Sequence, residues 1–229
     1  MPARNVVSKA EWHAARVRLL AAEKALMRQR DEITRQRQAL PVVHVDRDYR
    51  FDTLHGTKSL AELFGAQTQL IAYHFMLGPD AEQPCRSCSF WAEHYDAIRV
   101  HLLHRDVNLI CVSRAPLAQI EVVRSRMGWQ FPWVSSHDTD FNADFGVTFA
   151  ASEAGQMLYN FGTQPARAGE SPGLSVFVRE GQDVFHSYST YSRGLDPLNP
   201  TYQLLDLVPS GRNESGLPWP MAWLKLKYE

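Results

Sequence analysis

Cysteine is scarce in this chain. There are three in 229 residues, at Cys85, Cys88 and Cys111, too few for the multi-bridge framework that holds small secreted domains together. Long apolar runs are missing as well: no stretch approaches the 18 or so residues that span a bilayer, and no secretory leader pattern opens the chain. The expectation is a cytoplasmic protein with no membrane partner, in which a stable structural disulfide would be out of place and a cycling one would not. Charge of one sign is lacking too. Lys and Arg number 24 against 25 Asp and Glu, a formal net charge of −1, which argues against a general polyanion-binding surface and hence against nucleic acid. Internal repeats and low-complexity tracts are absent.

What remains is an ordinary globular composition, 45% hydrophobic and 21% charged, in a chain long enough for one domain with appendages. Residues 8 to 40 predict one long helix. Ser8-Lys9-Ala10-Glu11 matches a capping box, and Pro41 closes the pattern. Trp12, Leu19, Leu26, Ile33 and Leu40 recur every seven residues, but Gln29 and Gln36 interrupt the accompanying seam, so a self-standing coiled coil is not expected. The helix is read as an arm, residues 1–41, packed on a domain of residues 42–229; a homodimer contact through it is the alternative.

The domain reads as α/β. Val42–Val45 and Tyr49–Phe51 are short strand candidates, and Ser59-Leu60-Ala61-Glu62 is a second capping box opening a helix that Gly65 ends. Leu70–Met76 is an apolar, β-branched and aromatic run that predicts a buried strand. A helix follows to about His104, then a second buried strand at Val107–Val112. Strand, helix and strand make a βαβ unit and imply a parallel sheet. Pro116 starts another helix that stops at Gly128, and Phe131–Val134 is a further strand candidate. Residues 138–146 form a loop or a short helical turn. After the connection at Gly162–Gly173, Leu174–Val178 and Val184–Tyr191 make a β-hairpin, and Thr201–Leu207 a closing helix. The aromatic tail around Trp219 and Trp223 is expected to pack on the body.

The chemistry centres on Cys85-Arg86-Ser87-Cys88, which lies between the strand and the helix. A thiol in the first turn of a helix faces unpaired backbone N–H groups that favour the thiolate, and a separation of three positions brings the second thiol within disulfide reach. Cys85, the more N-terminal, is assigned as attacking nucleophile and Cys88 as the resolving thiol. Arg86 would bias Cys85 toward the thiolate if its side chain turned to the sulfurs, and Trp91 would shield the pair or pack beneath it. Two other readings stay open: half of a zinc site, or two structural cysteines. Zinc needs two more ligands; His94 is at a usable spacing, but the chain has no second Cys-x-x-Cys or paired His motif. No metal and no organic cofactor are therefore expected. Cys111, inside an apolar strand, reads as a small buried hydrophobe. Pro172, just ahead of the hairpin, can carry a cis peptide bond or be a plain turn proline. His186, Tyr188, Tyr191, Arg193 and Asp196 are either a polar rim beside the pair or ordinary hairpin residues. His74 and His94 read as structural histidines that could tune Cys85 if close to it.

The element order resembles the thioredoxin superfamily: a βαβ half with Cys-x-x-Cys, a proline-led hairpin and a last helix. Tyr49–Gly146 is similar to its peroxiredoxin branch, although Pro84, Ser87 and Cys88 lack the peroxidatic spacing. Nearly the whole chain is similar to an uncharacterised bacterial family of thioredoxin-like proteins, carried by ALPVVHVDRDYRFD at Ala39, YHFMLGPD at Tyr73, CRSCSFWAEHYD at Cys85, VSRAPLAQIE at Val112, MGWQFPWVSS at Met127, FHSYSTYSRGLD at Phe185 and WPMAW at Trp219. The resemblance implies a thioredoxin-like, peroxiredoxin-like central sheet flanked by helices, with the N-terminal helical arm added. It also implies a cis Pro172 that presents backbone to a disulfide partner. The activity expected is thiol–disulfide exchange with a protein or small-molecule disulfide or thiol. A thiol-dependent peroxidase and a non-enzymatic binding module are the alternatives.

Overall fold

The computed structural model describes residues 5–229. The chain divides after Pro41 into two compact units. The first is a single helix, α1 (Lys9–Gln38), capped by the expected box: Ser8 N–H donates to Glu11 Oε2 at 2.9 Å, and Glu11 N–H to Ser8 Oγ at 3.3 Å.

The second unit is built on one sheet of eight strands. In chain order they are β1 (Val43–His44), β2 (Arg50–Thr53), β3 (Gly56–Ser59), β4 (Gln69–His74), β5 (Val107–Ser113), β6 (Trp133–Ser135), β7 (Gly173–Glu180) and β8 (Asp183–Tyr191). Across the sheet they run β1-β8-β7-β4-β5-β6-β2-β3. β4, β5 and β6 are parallel, and β7 lies antiparallel on the free side of β4. The β4–β5 crossover contains α3 (Arg86–Ala92) and α4 (Tyr95–Leu103), and the β5–β6 crossover is α5 (Leu117–Met127). With the β7–β8 hairpin and the closing helix α7 (Pro200–Leu205), this is a thioredoxin-like α/β fold.

The central strands are apolar on both faces because both faces are covered. Tyr73, Leu109, Cys111 and Trp133 point into one core, shared with Trp91, Tyr95 and Ile120. Their alternates Ala72, Ile110, Val112 and Val134 point into the other, shared with Phe51, Phe64, Phe141 and Phe177. Cys111 is fully buried in the first core, as expected of a small hydrophobe. α2 (Leu60–Leu63) starts at its capping box, and Gly128 ends α5 at φ +72, a left-handed conformation that glycine adopts without a Cβ penalty.

Three expectations are corrected. The helix after Cys88 does not run unbroken to His104: at His94 the backbone N–H bonds to Trp91 O, three residues back, and α4 begins anew at Tyr95. Trp91 and Tyr95, on either side of that break, both enter the first core. The hairpin strands are longer than expected, meeting at a turn where Gly181 has φ +62. The connection between β6 and β7 is also structured beyond the expected short helical turn, which is α6 (Phe141–Asp144). It holds two small ribbons, Thr148–Phe149 with Gly169–Glu170 and Leu158–Tyr159 with Gln164–Pro165. Two-residue ladders carry no periodicity, so nothing in the sequence marks them.

Among the described residues, no helix is long and apolar enough to cross a membrane.

Candidate active site

β4 ends at His74, and the loop after it returns the chain to Cys85, the N-cap of α3. Capping here is performed by sulfur: Cys88 N–H donates to Cys85 Sγ at 3.3 Å. The two thiols lie side by side, both unbridged; Cys85 is half-buried and Cys88 buried.

Their environments pull their acidities apart. The Cys88 S–H donates to the Cys85 sulfur, and the backbone N–H groups of Cys88 and Ser87 and the Ser87 hydroxyl add to it, so the Cys85 pKa falls from 9.0 to about 7 despite burial. Burial and the neighbouring Cys85 push Cys88 well up, only partly offset by donors from Met76 N–H, at 3.4 Å, and from the Tyr73 hydroxyl. At neutral pH a thiolate on Cys85 beside a thiol on Cys88 is therefore the favoured arrangement, the proton being shared between two coupled sites.

The remaining expected site residues separate into two groups. Trp91 is buried directly behind the pair, its indole N–H donating to Leu195 O at 3.0 Å. Pro172 and Trp91 both line a cavity of about 190 Å³ that opens beside Cys88. The Ser171–Pro172 peptide is trans, as are all peptide bonds among the described residues, so the expectation of a cis bond is corrected. The segment is held by its neighbours: Ser171 N–H donates to Val147 O at 2.7 Å, and the Tyr159 hydroxyl donates to Pro172 O while accepting from Ser192 N–H at 2.9 Å. Arg86 does not turn to the sulfurs. Its guanidinium pairs with Glu229 at 2.6 Å, drawn by a carboxylate that the C-terminal tail brings to α3. The thiolate bias thus comes from hydrogen-bond donors at the start of α3 rather than from Arg86.

His94 hydrogen-bonds Thr201 at 3.0 Å, and among the described residues no group of three or more His, Cys, Asp or Glu is arranged to hold a metal ion. His74 lies in the second core, on the face of β4 opposite Tyr73, bonded to Ser175 and packed on Phe141 and Phe145. The motif at Phe185 splits. His186 bonds Ser189 and Tyr188 O within the hairpin, and the Tyr191 hydroxyl donates out of it to Phe145 O, so neither is turned to the thiols. Arg193 and Asp196 instead line the cavity beside Cys88. Sequence reasoning missed Tyr73, Met76, Leu195 and Met221 as site residues. Tyr73 and Met76 could have been found from their place at the end of the strand that feeds the Cys-x-x-Cys loop; Leu195 and Met221 carry no such signal.

The sequence model of a family described as "Bacterial protein of unknown function (DUF899)" matches residues 1–229. No curated protein matches the chain. Among solved structures the chain is similar to a cysteine-to-serine variant of PrxQ from Xylella fastidiosa, at 12% identity and a TM-score of 0.46 over 72% of this chain and 97% of that one. It is also similar to the peroxidoxin BcpB from Mycobacterium tuberculosis, at 14% identity and a TM-score of 0.46 over 72% and 97%. A peroxiredoxin Q variant from Xanthomonas campestris gives 13%, 0.47, 73% and 97%. These are likenesses of shape; the thioredoxin-like assignment rests on the strand order and crossovers described above.

Proposed function

The chain belongs to the bacterial family DUF899, and on the geometry just described we propose that it is a thiol–disulfide oxidoreductase working through Cys85 and Cys88. One observation carries the reading: two adjacent free thiols, one half-buried and lowered to about 7, the other buried and raised.

In this reading the Cys85 thiolate attacks a disulfide R–S–S–R′. A Cys85–S–S–R bond forms, the S–S bond of the substrate breaks, and R′S⁻ leaves and takes a proton. Cys88 then gives up its proton and attacks Cys85 Sγ, forming the Cys85–Cys88 disulfide and releasing RS⁻. Two electrons pass from the protein to the substrate, and an external dithiol returns them. The raised pKa of Cys88 keeps it protonated until the mixed disulfide has formed, so Cys85 alone is the entry point. The donors that hold the Cys85 thiolate also stabilise it as leaving group when the cycle runs in reverse.

The test is a redox titration in dithiothreitol buffers with intact-mass and peptide mapping. Reversible loss of two hydrogens confined to the peptide holding Cys85 and Cys88 is expected. The Cys88→Ser variant should accumulate a mixed disulfide on Cys85 that wild type resolves. Thiols that stay reduced, or that oxidise only irreversibly, would remove the exchange mechanism. Rapid turnover of peroxide with a thiol donor, passing through a sulfenic acid on Cys85, would replace it by a peroxidase.

A further inference from the structure

The cavity of about 190 Å³ borders Cys88, not Cys85. Its walls are Tyr73 and Met76 from the end of β4 and the loop after it, Trp91 from α3, Leu195 from the 3-10 segment Ser192–Leu198, and Met221 from the tail. Most polar side-chain groups along the lining are already engaged: the Tyr73 hydroxyl with Cys88, the Ser87 hydroxyl with Cys85, the Trp91 indole N–H with Leu195 O, and the Ser192 hydroxyl with Gln164 Nε2 at 3.3 Å. A polar group entering would lose its water and find few free partners, which is costly. Arg193 and Asp196, which also line the cavity, pair at 3.1 Å, Asp196 pairs further with Arg212 at 2.8 Å, and Arg212 with Asp206 at 2.8 Å, so charges of both signs are matched there and no single-sign field selects a charged ligand.

We propose that this cavity is the specificity subsite of the exchange reaction and takes an aromatic or branched apolar side chain one residue away from the reacting cysteine of a peptide disulfide. The inference rests on the exchange reading above and adds its substrate class. Size supports it: an apolar cavity of about 150 Å³ holds benzene, and this one is larger. Position supports it as well. Cys85 and Cys88 are three residues apart, about 4.5 Å along a helix. Neighbouring residues of a peptide are about 3.8 Å apart at Cα. A peptide that turns at its cysteine, so that the neighbouring side chain swings to the same face as the sulfur meeting Cys85, carries that side chain to the opening beside Cys88. The electron and proton balance is that of the exchange: the peptide disulfide becomes two thiols as Cys85 and Cys88 become one disulfide.

Reduced full-length protein is mixed separately with two symmetrical disulfides, the dimers of N-acetyl-Cys-Phe-amide and N-acetyl-Cys-Ala-amide. Their leaving thiols are chemically alike. The formation of the Cys85–Cys88 disulfide is followed by acid quench and mass. The Phe peptide should react about 10-fold faster or more, the discrimination an apolar pocket supplies for a larger apolar group. Leu195→Phe and Met221→Phe each fill the cavity and should bring the ratio to within about twofold of one. Leu195 is buried, whereas Met221 is only half-buried, so Met221→Phe decides the matter if Leu195→Phe does not fold. Equal rates in wild type, or a preference that survives the folded filling variants, overturn the subsite and leave exchange standing. If neither disulfide oxidises the pair, the exchange reading fails and the subsite with it.

Discussion

The acidity of Cys85 is the most exposed point of the mechanism. Its pKa of about 7, down from 9.0, has the Cys88 thiol as the first of its causes and the backbone N–H groups of Cys88 and Ser87 behind it. About half of Cys85 is thiolate at pH 7, where an unperturbed thiol at 9.0 would be only about 1% ionised, a gain of roughly 50-fold in nucleophile. Replacing Cys88 by Ala removes the S–H donor and keeps the backbone N–H. A hydrogen bond to a charged group contributes about 1.5–3 kcal/mol, and 1.36 kcal/mol corresponds to one pH unit, so the Cys85 midpoint should rise by roughly one to two units. The assay is the pH dependence of iodoacetamide alkylation at Cys85, read by peptide mass between pH 5 and 10. Cys111 is fully buried and serves as the internal unreactive control. A wild-type midpoint at the ordinary thiol value would refute the electrostatic argument, and so would a Cys88→Ala variant whose midpoint does not move.

Two further outcomes concern stability. Burial, with a smaller contribution from His186, lowers the His74 pKa from 6.5 to about 3. The unfolded chain takes up a proton there as pH falls below 6.5 while the folded chain does not, so stability is lost between 6.5 and about 3 and the loss is complete below that. Its full size is roughly 4–5 kcal/mol at most, and about 2–3 kcal/mol at pH 4.5. Urea unfolding at pH 7 and 4.5 should show a steeper acid loss in wild type than in His74→Phe, and equal slopes would exclude His74 as the acid-sensitive group. At Gly173 an added Cβ would stand 2.8 Å from the Tyr191 ring and 2.9 Å from Val147. Gly173→Ala should cost about 1–3 kcal/mol through overpacking and, by displacing the adjacent Pro172, slow the exchange reaction. Unchanged thermal stability in that variant would mean that the strand start is looser than these contacts imply.

Local chemistry was legible in the sequence. Both capping boxes are complete within four residues, Ser8 to Glu11 and Ser59 to Glu62, and both form as read. The continuous apolar runs at Leu70 and Val107 became parallel strands, because strands covered on both faces need apolar side chains at every position. The neighbourhood of Cys85 and Cys88 also follows from the chain itself, since three residues at the start of a helix bring two thiols together whatever surrounds them. The surroundings were decided by the tertiary structure. Arg86 meets Glu229 across 143 positions, Trp91 meets Leu195 across 104, and the cavity beside Cys88 is assembled from segments scattered between Tyr73 and Met221. Such contacts have no period and no spacing, and arise only when the sheet order and the returning tail bring distant segments into one place. A thiol pair is a property of neighbouring residues; the walls of the cavity beside it are a property of the fold.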